Sequence, residues 1–137
     1  MAFVLDASAA LPWCFRDEAT PETDFLQARA ASGERIVVPG HWPAEILTGV
    51  THAARRGRID DPSVDAFLDA LPLYDIVVDA RPMVEQWADA LQLIRLHRIG
   101  GYDAMCLALA RRLNIGLATM DGRLRDAATA EGVSLVV

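Results

Sequence analysis

The strongest constraint on the fold of this chain is an alternation of two periods. Short runs rich in β-branched and apolar residues recur between longer stretches in which apolar residues repeat at helical spacing. The short runs are Phe3-Val4-Leu5, Ile36-Val37-Val38, Asp75-Ile76-Val77-Val78, Gly116-Leu117-Ala118-Thr119 and Val133-Ser134-Leu135-Val136, each bounded by Gly, Pro or charged residues. Between them lie Ile46, Leu47, Val50, Ala53 and Ala54, then Val64, Phe67, Leu68 and Leu71, then Val84, Trp87, Ala88, Leu91 and Ile94. Strand and helix in alternation predict an α/β fold around a mainly parallel sheet, here of five strands, with the three helical stripes facing the core.

The local signals support these boundaries. Asp61 before Pro62 reads as a helix N-cap with proline at the first helical position, so residues 58 to 61 form a turn. Asp79 ahead of Pro82 starts the next helix in a looser version of the same arrangement. Ala104 to Ala110 is apolar all round, which predicts a helix buried on most sides. At 137 residues, 53% of them hydrophobic, the chain has material for one sizeable core and no linker or repeat to divide it, so residues 1–137 form a single domain.

Charge removes whole classes of chemistry. All thirteen basic residues are arginine, which excludes a P-loop phosphate grip, a pyridoxal Schiff base and any other reaction needing a lysine amine. Nineteen acids leave a net charge of −6, so nucleic acid cannot be held by bulk electrostatics and would need help from metal ions. Cys14 and Cys106 are isolated in apolar stretches without ligand spacing, and fit core packing in a reducing compartment better than a disulfide or zinc site. The apolar opening stops at Asp6 and no later run approaches a membrane span, so the expectation is a soluble cytoplasmic protein.

Four acids fall where such a sheet would bind a ligand. Asp6 ends the first strand, Asp121 follows the strand at 116–119, and Glu45 and Asp103 open helices. Strand carboxyl ends and helix amino ends share one edge of a parallel sheet. Four carboxylates gathered there repel one another unless a hard, oxygen-preferring divalent cation such as Mg2+ or Mn2+ lies between them. Taken one at a time, each acid has a plainer explanation as a cap, a turn residue or a dipole partner. Ser8 and Thr119 put a hydroxyl near each strand-end acid, either to orient carboxylates and water or simply as a helix cap and a strand former.

These residues resemble the PIN-domain ribonucleases, and within them the VapC toxins of prokaryotic toxin–antitoxin pairs. The similarity runs over nearly the whole chain. Val4-Leu5-Asp6-Ala7-Ser8-Ala9 is similar to the first family motif, and Val38-Pro39 through Trp42-Pro43-Ala44-Glu45 to the second. Gly101-Tyr102-Asp103-Ala104 with its small apolar continuation resembles the third, and Leu117-Ala118-Thr119-Met120-Asp121-Gly122-Arg123-Leu124 the fourth. One departure is Thr48, where the family often has asparagine.

The resemblance implies a three-layer α/β/α fold, a Mg2+-dependent endoribonuclease activity and a cognate antitoxin that blocks the site. It also implies a homodimer. Carried over by position, Asp6, Glu45, Asp103 and Asp121 form the acidic site, with Asp6, Asp103 and Asp121 on the metal. The chemistry would be in-line attack of metal-activated water on an RNA phosphodiester, in tRNA or rRNA, with Mn2+ able to replace Mg2+.

Substrate contacts would come from arginine, whose fork suits phosphate: Arg55, Arg56 and Arg58 are the densest cluster, and Arg123 and Arg125 flank the last motif. An exposed solvated face is the competing explanation for each. His41, His52 and His97 lack ligand spacing and read as surface or packing residues, while Trp13, Trp42 and Trp87 read as packing rather than base-stacking groups. The segment from Leu11 through Leu26 and the helix after Asp61 are the expected partner surfaces. The competing functions are a PIN-type RNA-processing nuclease outside a toxin pair, a catalytically dead interaction module, which predicts loss of an acid, and a haloacid-dehalogenase-like phosphatase. The last would need a second aspartate where Ser8 stands, and a lysine.

Overall fold

The computed structural model describes residues 1–137. Four strands, β1 (Ala2–Leu5), β2 (Arg35–Val38), β3 (Ile76–Val78) and β4 (Gly116–Ala118), form one sheet in the order β3-β2-β1-β4, and every pairing is parallel. Seven helices connect them: α1 (Ala7–Ala10), α2 (Pro21–Ala31), α3 (Trp42–Arg55), α4 (Asp61–Ala70), α5 (Met83–His97), α6 (Gly101–Leu113) and α7 (Gly122–Ala130).

The central strand β1 and residues 36–38 of β2 are apolar because helices cover both faces of the sheet there, while Val77 and Val78 of the edge strand β3 stay exposed. Alternation sends Phe3 and Leu5 into one core with Ile36, Val38 and residues of α1 to α4, and sends Val4 into the other with Leu117 and residues of α5, α6 and α7. The result is three layers, helices on sheet on helices. The all-apolar stretch behaves as its sequence demands, since Ala104 and Cys106 to Ala110 are all buried in the second core.

Four expectations need correction. The fifth strand is absent: residues 133–136 pass β4 but make only one isolated bridge, Leu117 with Leu135. Leu117 N donates to the Ser134 carbonyl at 2.9 Å and Val136 N to the Leu117 carbonyl at 3.0 Å. β4 is only three residues long, so it offers too little ladder to extend the pairing. The cap of α4 is Asp60, not Asp61, with its carboxylate accepting from Ser63 N at 2.8 Å and the helix beginning one residue earlier than expected. Pro82 caps α5, and Asp79 is drawn instead into ion pairs with Arg81 and Arg112.

The fourth correction concerns the apolar stripe of α5. Most of its predicted core stripe faces outward, with Val84 67%, Trp87 60% and Leu91 44% exposed; of that stripe Ile94 packs on the core, beside the buried Ala90 and Leu93. A helix whose two sides are both partly apolar has two phases available, and packing against α6 selects the one that buries the smaller residue, Ala90, with Leu93. An apolar stripe is left on the surface as a consequence.

The strand order places a reversal beside β1. The chain leaves β1 toward β2 on one side, and β4 returns to pair on the other. In open parallel sheets, ligands bind in the crevice outside the strand carboxyl ends at this kind of switch point. Asp6 follows β1, and Thr119 and Asp121 follow β4, so these residues flank the crevice.

Candidate active site

Asp6 is the buried centre of the site, with 5% of its surface exposed. It stands at the N-cap of α1 in extended conformation but makes no capping hydrogen bond, so capping does not explain it. Its Oδ2 accepts from Ser8 Oγ at 2.5 Å and from Thr119 Oγ1 at 2.8 Å. Cys106 Sγ, on the buried side of α6, lies 3.9 Å from Oδ1. Burial and then the Asp6 charge push the Cys106 thiol well up, which keeps it neutral and inert.

The two hydroxyls also tie β1 to the turn after β4. Met120 N donates to Ser8 Oγ at 3.0 Å and Asp121 N donates to Thr119 Oγ1 at 3.1 Å. The Asp121 carboxylate caps α7, accepting from Leu124 N at 3.0 Å through Oδ1. The capping explanation therefore holds for one oxygen of Asp121, and the other oxygen has no partner within the chain.

Glu45 and Asp103 enter from the first turns of α3 and α6. Burial, then the charges of Asp6 and Asp103, raise Glu45 to about 7. Burial, then Asp6 and Asp121, raise Asp103 to about 6. These couplings link Asp6, Glu45, Asp103 and Asp121 in one electrostatic group, so the fold gathers the four acids predicted from sequence.

Two residues that sequence did not single out for the site complete one wall. His41 stacks on Tyr102 with ring centroids 4.3 Å apart and planes 13° from parallel. Its Nε2 lies 3.6 Å from Glu45 Oε1, too far for a hydrogen bond, and both atoms are buried without a partner. Burial lowers the His41 pKa against the opposing pull of Asp6, so the imidazole is neutral at pH 7. The available signal was spacing: His41 lies four residues before Glu45 at a helix start, and Tyr102 adjoins Asp103.

The residue types present suit a hard divalent cation. The donors are all carboxylate oxygens, their repulsion is uncompensated, and Glu45 Oε1 is an orphaned buried acceptor. No three Asp, Glu, His or Cys side chains converge on one point as they stand. A cation here would take one or two carboxylates directly and keep water on its other positions, which is how Mg2+ commonly binds.

The arginines fall into distinct settings. Arg58 reaches back to Glu18 at 2.6 Å and Asp17 at 3.2 Å and lies over the Phe15 ring, and so is engaged within the chain. Arg125 donates to the Thr119 and Val137 carbonyls at 3.0 and 2.7 Å, which ties the chain end to the site turn. Arg56 approaches His52 at 3.4 Å, while the Arg55 and Arg123 side chains are free of partners. A larger cavity, of about 710 Å³, opens at the amino edge of the sheet between the starts of β1 and β4, remote from the acids. Its arginines are already paired, Arg29 with Glu34 and Arg111 with Glu131.

The fold and site define a three-layer parallel α/β domain with electrostatically coupled acids around the switch point. The PIN domain matches residues 3–130. Ribonuclease VapC12 of Mycobacterium tuberculosis is 30% identical over 121 residues, covering 88% of each chain. The VapC ribonuclease Mb0985 of Mycobacterium bovis is 33% identical over 129 residues, covering 93% of this chain and 92% of its own. Among solved structures, VapBC2 from Rickettsia felis bound to a promoter DNA fragment superposes with a TM-score of 0.65 at 14% identity, covering 98% and 97% of the two chains. FitAcB from Neisseria gonorrhoeae gives 0.65 at 17% identity, covering 97% and 95%. The chain belongs to the PIN domain family, and its sequence relatives are VapC ribonucleases.

Proposed function

We propose that this chain is a Mg2+-dependent endoribonuclease and the toxin component of a type II, VapBC-like pair. The observation that carries the reading is the group of four mutually coupled acids at the sheet switch point, centred on buried Asp6. The VapC ribonuclease relatives support RNA as substrate, with tRNA or rRNA the expected class.

Asp6, Asp103 and Asp121 would hold the cation, one or two of them directly and the rest through its water, and when bound it would supply a positive charge against the developing phosphorane and lower the pKa of water. Ser8 and Thr119 orient Asp6 through its Oδ2. Glu45, with a pKa of about 7, is poised to accept or return a proton at neutral pH. His41, stacked and neutral, excludes water from its buried face without adding charge. Among the arginines, Arg123 beside Asp121 and Arg55 near the end of α3 are free to meet RNA phosphates, Arg56 beside it is held only by its contact with His52, and Arg58 contributes least because Asp17 and Glu18 already hold it.

A cognate antitoxin and a homodimer belong to the same reading. The exposed apolar stripe of Met83, Val84, Trp87 and Leu91 on α5 supports a protein-covered surface, beside the segment 11–26 and the helix α4 expected from sequence. No helix is long and apolar enough to cross a membrane.

Calorimetric titration with Mn2+ tests the metal site directly. Wild-type protein should bind the ion with release of protons from Glu45 and Asp103, and Asp103→Asn should bind it at least about 10-fold more weakly. Equal binding by the variant would remove Asp103 from the site.

A further inference from the structure

We propose that Arg98 and Arg123 form a cleft that grips the sugar–phosphate backbone of single-stranded RNA beside the acidic site, a contact that rests on the nuclease reading above. Only Arg55, Arg95, Arg98 and Arg123 lack a side-chain hydrogen bond or ion pair; the other arginines are held by carboxylates, by His52 or by backbone carbonyls. Arg55 and Arg95 stand apart on α3 and α5. Arg98 and Arg123, from different elements, line one cleft of about 520 Å³.

The cleft runs along one face of α7, past Arg123, Asp126, Ala127 and Ala130, and is closed by His97 and Arg98 at the end of α5. Arg123 lies two residues beyond Asp121, and Arg98 lies two residues before Gly100, which caps the helix carrying Asp103. Arg123 is thus fixed next to Asp121 by the first turn of α7, and Arg98 joins it across the cleft from the short non-helical link between α5 and α6. Asp126 shares the cleft but pairs with neither arginine, and His97 is already bound to Glu131 at 2.7 Å, so positive charge is in excess.

Each arginine also violates a local rule. Arg98 ends α5 in the left-handed region, at φ 54°, where glycine or asparagine is favoured; the equivalent position after α6 is Asn114. Arg123 places a cation in the first turn of α7, against the helix dipole. Neither cost is offset by a contact within the chain, and uncompensated local costs concentrate at functional sites. An acidic protein that brings one phosphate to a cation must still neutralise the phosphates on either side of it, and two free guanidinium forks supply that.

The test is the salt dependence of binding of a short labelled oligoribonucleotide of mixed sequence, measured by fluorescence anisotropy in EDTA. Each lost single-strand phosphate contact lowers the slope of log K against log salt by about 0.7, so R98Q/R123Q should lower it by about 1.4, and Arg95→Gln should leave it nearly unchanged. In Mg2+, the double variant should raise KM about 10-fold with kcat retained, as loss of uniform binding requires. Arg98→Gly should raise the thermal midpoint while weakening RNA binding, a combination that a purely structural role would not give.

A wild type that cleaves RNA alongside a double variant with the same slope and KM overturns the cleft and leaves the nuclease reading intact. An unchanged RNA slope with lost binding of poly-glutamate reassigns the cleft to an acidic protein segment and also overturns it. A wild type that neither binds nor cleaves RNA with any metal overturns the nuclease reading, and the cleft with it.

Discussion

Thr119 Oγ1 donates to Asp6 Oδ2 at 2.8 Å across 113 positions of sequence, joining the turn after β4 to the end of β1. Both residues are buried, and the same hydroxyl oxygen accepts from Asp121 N. Thr119→Val keeps the shape and removes both bonds. The variant should fold, lose about 1–3 kcal/mol of stability by denaturant titration, and lose about 10–100-fold in RNA cleavage because Asp6 is no longer oriented. Full activity would make Thr119 a simple strand former.

Stability without metal should fall as pH rises. Glu45 is raised from 4.5 to about 7 and Asp103 from 3.8 to about 6, so the folded protein holds protons that the unfolded chain gives up first. Their contribution is fully present below about pH 4 and is lost as pH climbs to about 7. Thermal melts in EDTA between these limits should decline, and Mg2+ should reverse the decline at the upper end by favouring the ionised forms.

Removing one of the repelling charges should stabilise the metal-free protein. Asp103→Asn and Glu45→Gln each relieve a half-buried carboxylate of its like-charged neighbours, so both should melt at or above the wild-type temperature in EDTA at pH 7.5, a condition of about neutral pH where the wild-type acids are mostly ionised. The stabilisation should vanish on adding Mg2+, which neutralises the wild-type site. A variant that melts well below wild type in EDTA would make that acid a structural group.

Trp87 separates the two phases of α5. As a core residue its truncation would cost about 3–5 kcal/mol, whereas at 60% exposure Trp87→Ser should change monomer unfolding by less than about 0.5 kcal/mol. Urea titration at low concentration measures that change, and sedimentation at high concentration shows whether the same substitution weakens self-association.

The parts of the fold legible in sequence were those in which pattern and environment agree. β1 and residues 36–38 of β2 sit between layers and read as unbroken apolar runs, and the α6 segment from Ala104 to Ala110 is apolar on every side because all of it but Met105 is buried. The segment at 133–136 has a strand composition, but whether it pairs depends on how much of β4 is available, which no local pattern encodes. The direction of the α5 stripe failed for a similar reason: Val84, Trp87 and Leu91 carry the hydrophobic period, yet packing against α6 selects Ala90 and Leu93.

At the site, the acids were visible because each is attached to a strand end or a helix start. His41 was not, since its significance lies in stacking on Tyr102, 61 positions away in sequence, and in facing Glu45 without bonding to it. Arg58 looked free for RNA only because Asp17 and Glu18, forty positions earlier, are brought to it by the fold.

The most direct measurement is cleavage of a mixed tRNA and rRNA pool by antitoxin-free wild-type protein and by Asp103→Asn, each with Mg2+, with Mn2+ and with EDTA. Wild type should release discrete fragments with either metal and none in EDTA, and folded Asp103→Asn should lose at least about 100-fold of that activity. Cleavage that persists in EDTA, or that is undiminished in Asp103→Asn, would contradict a metal-dependent ribonuclease site at these four acids.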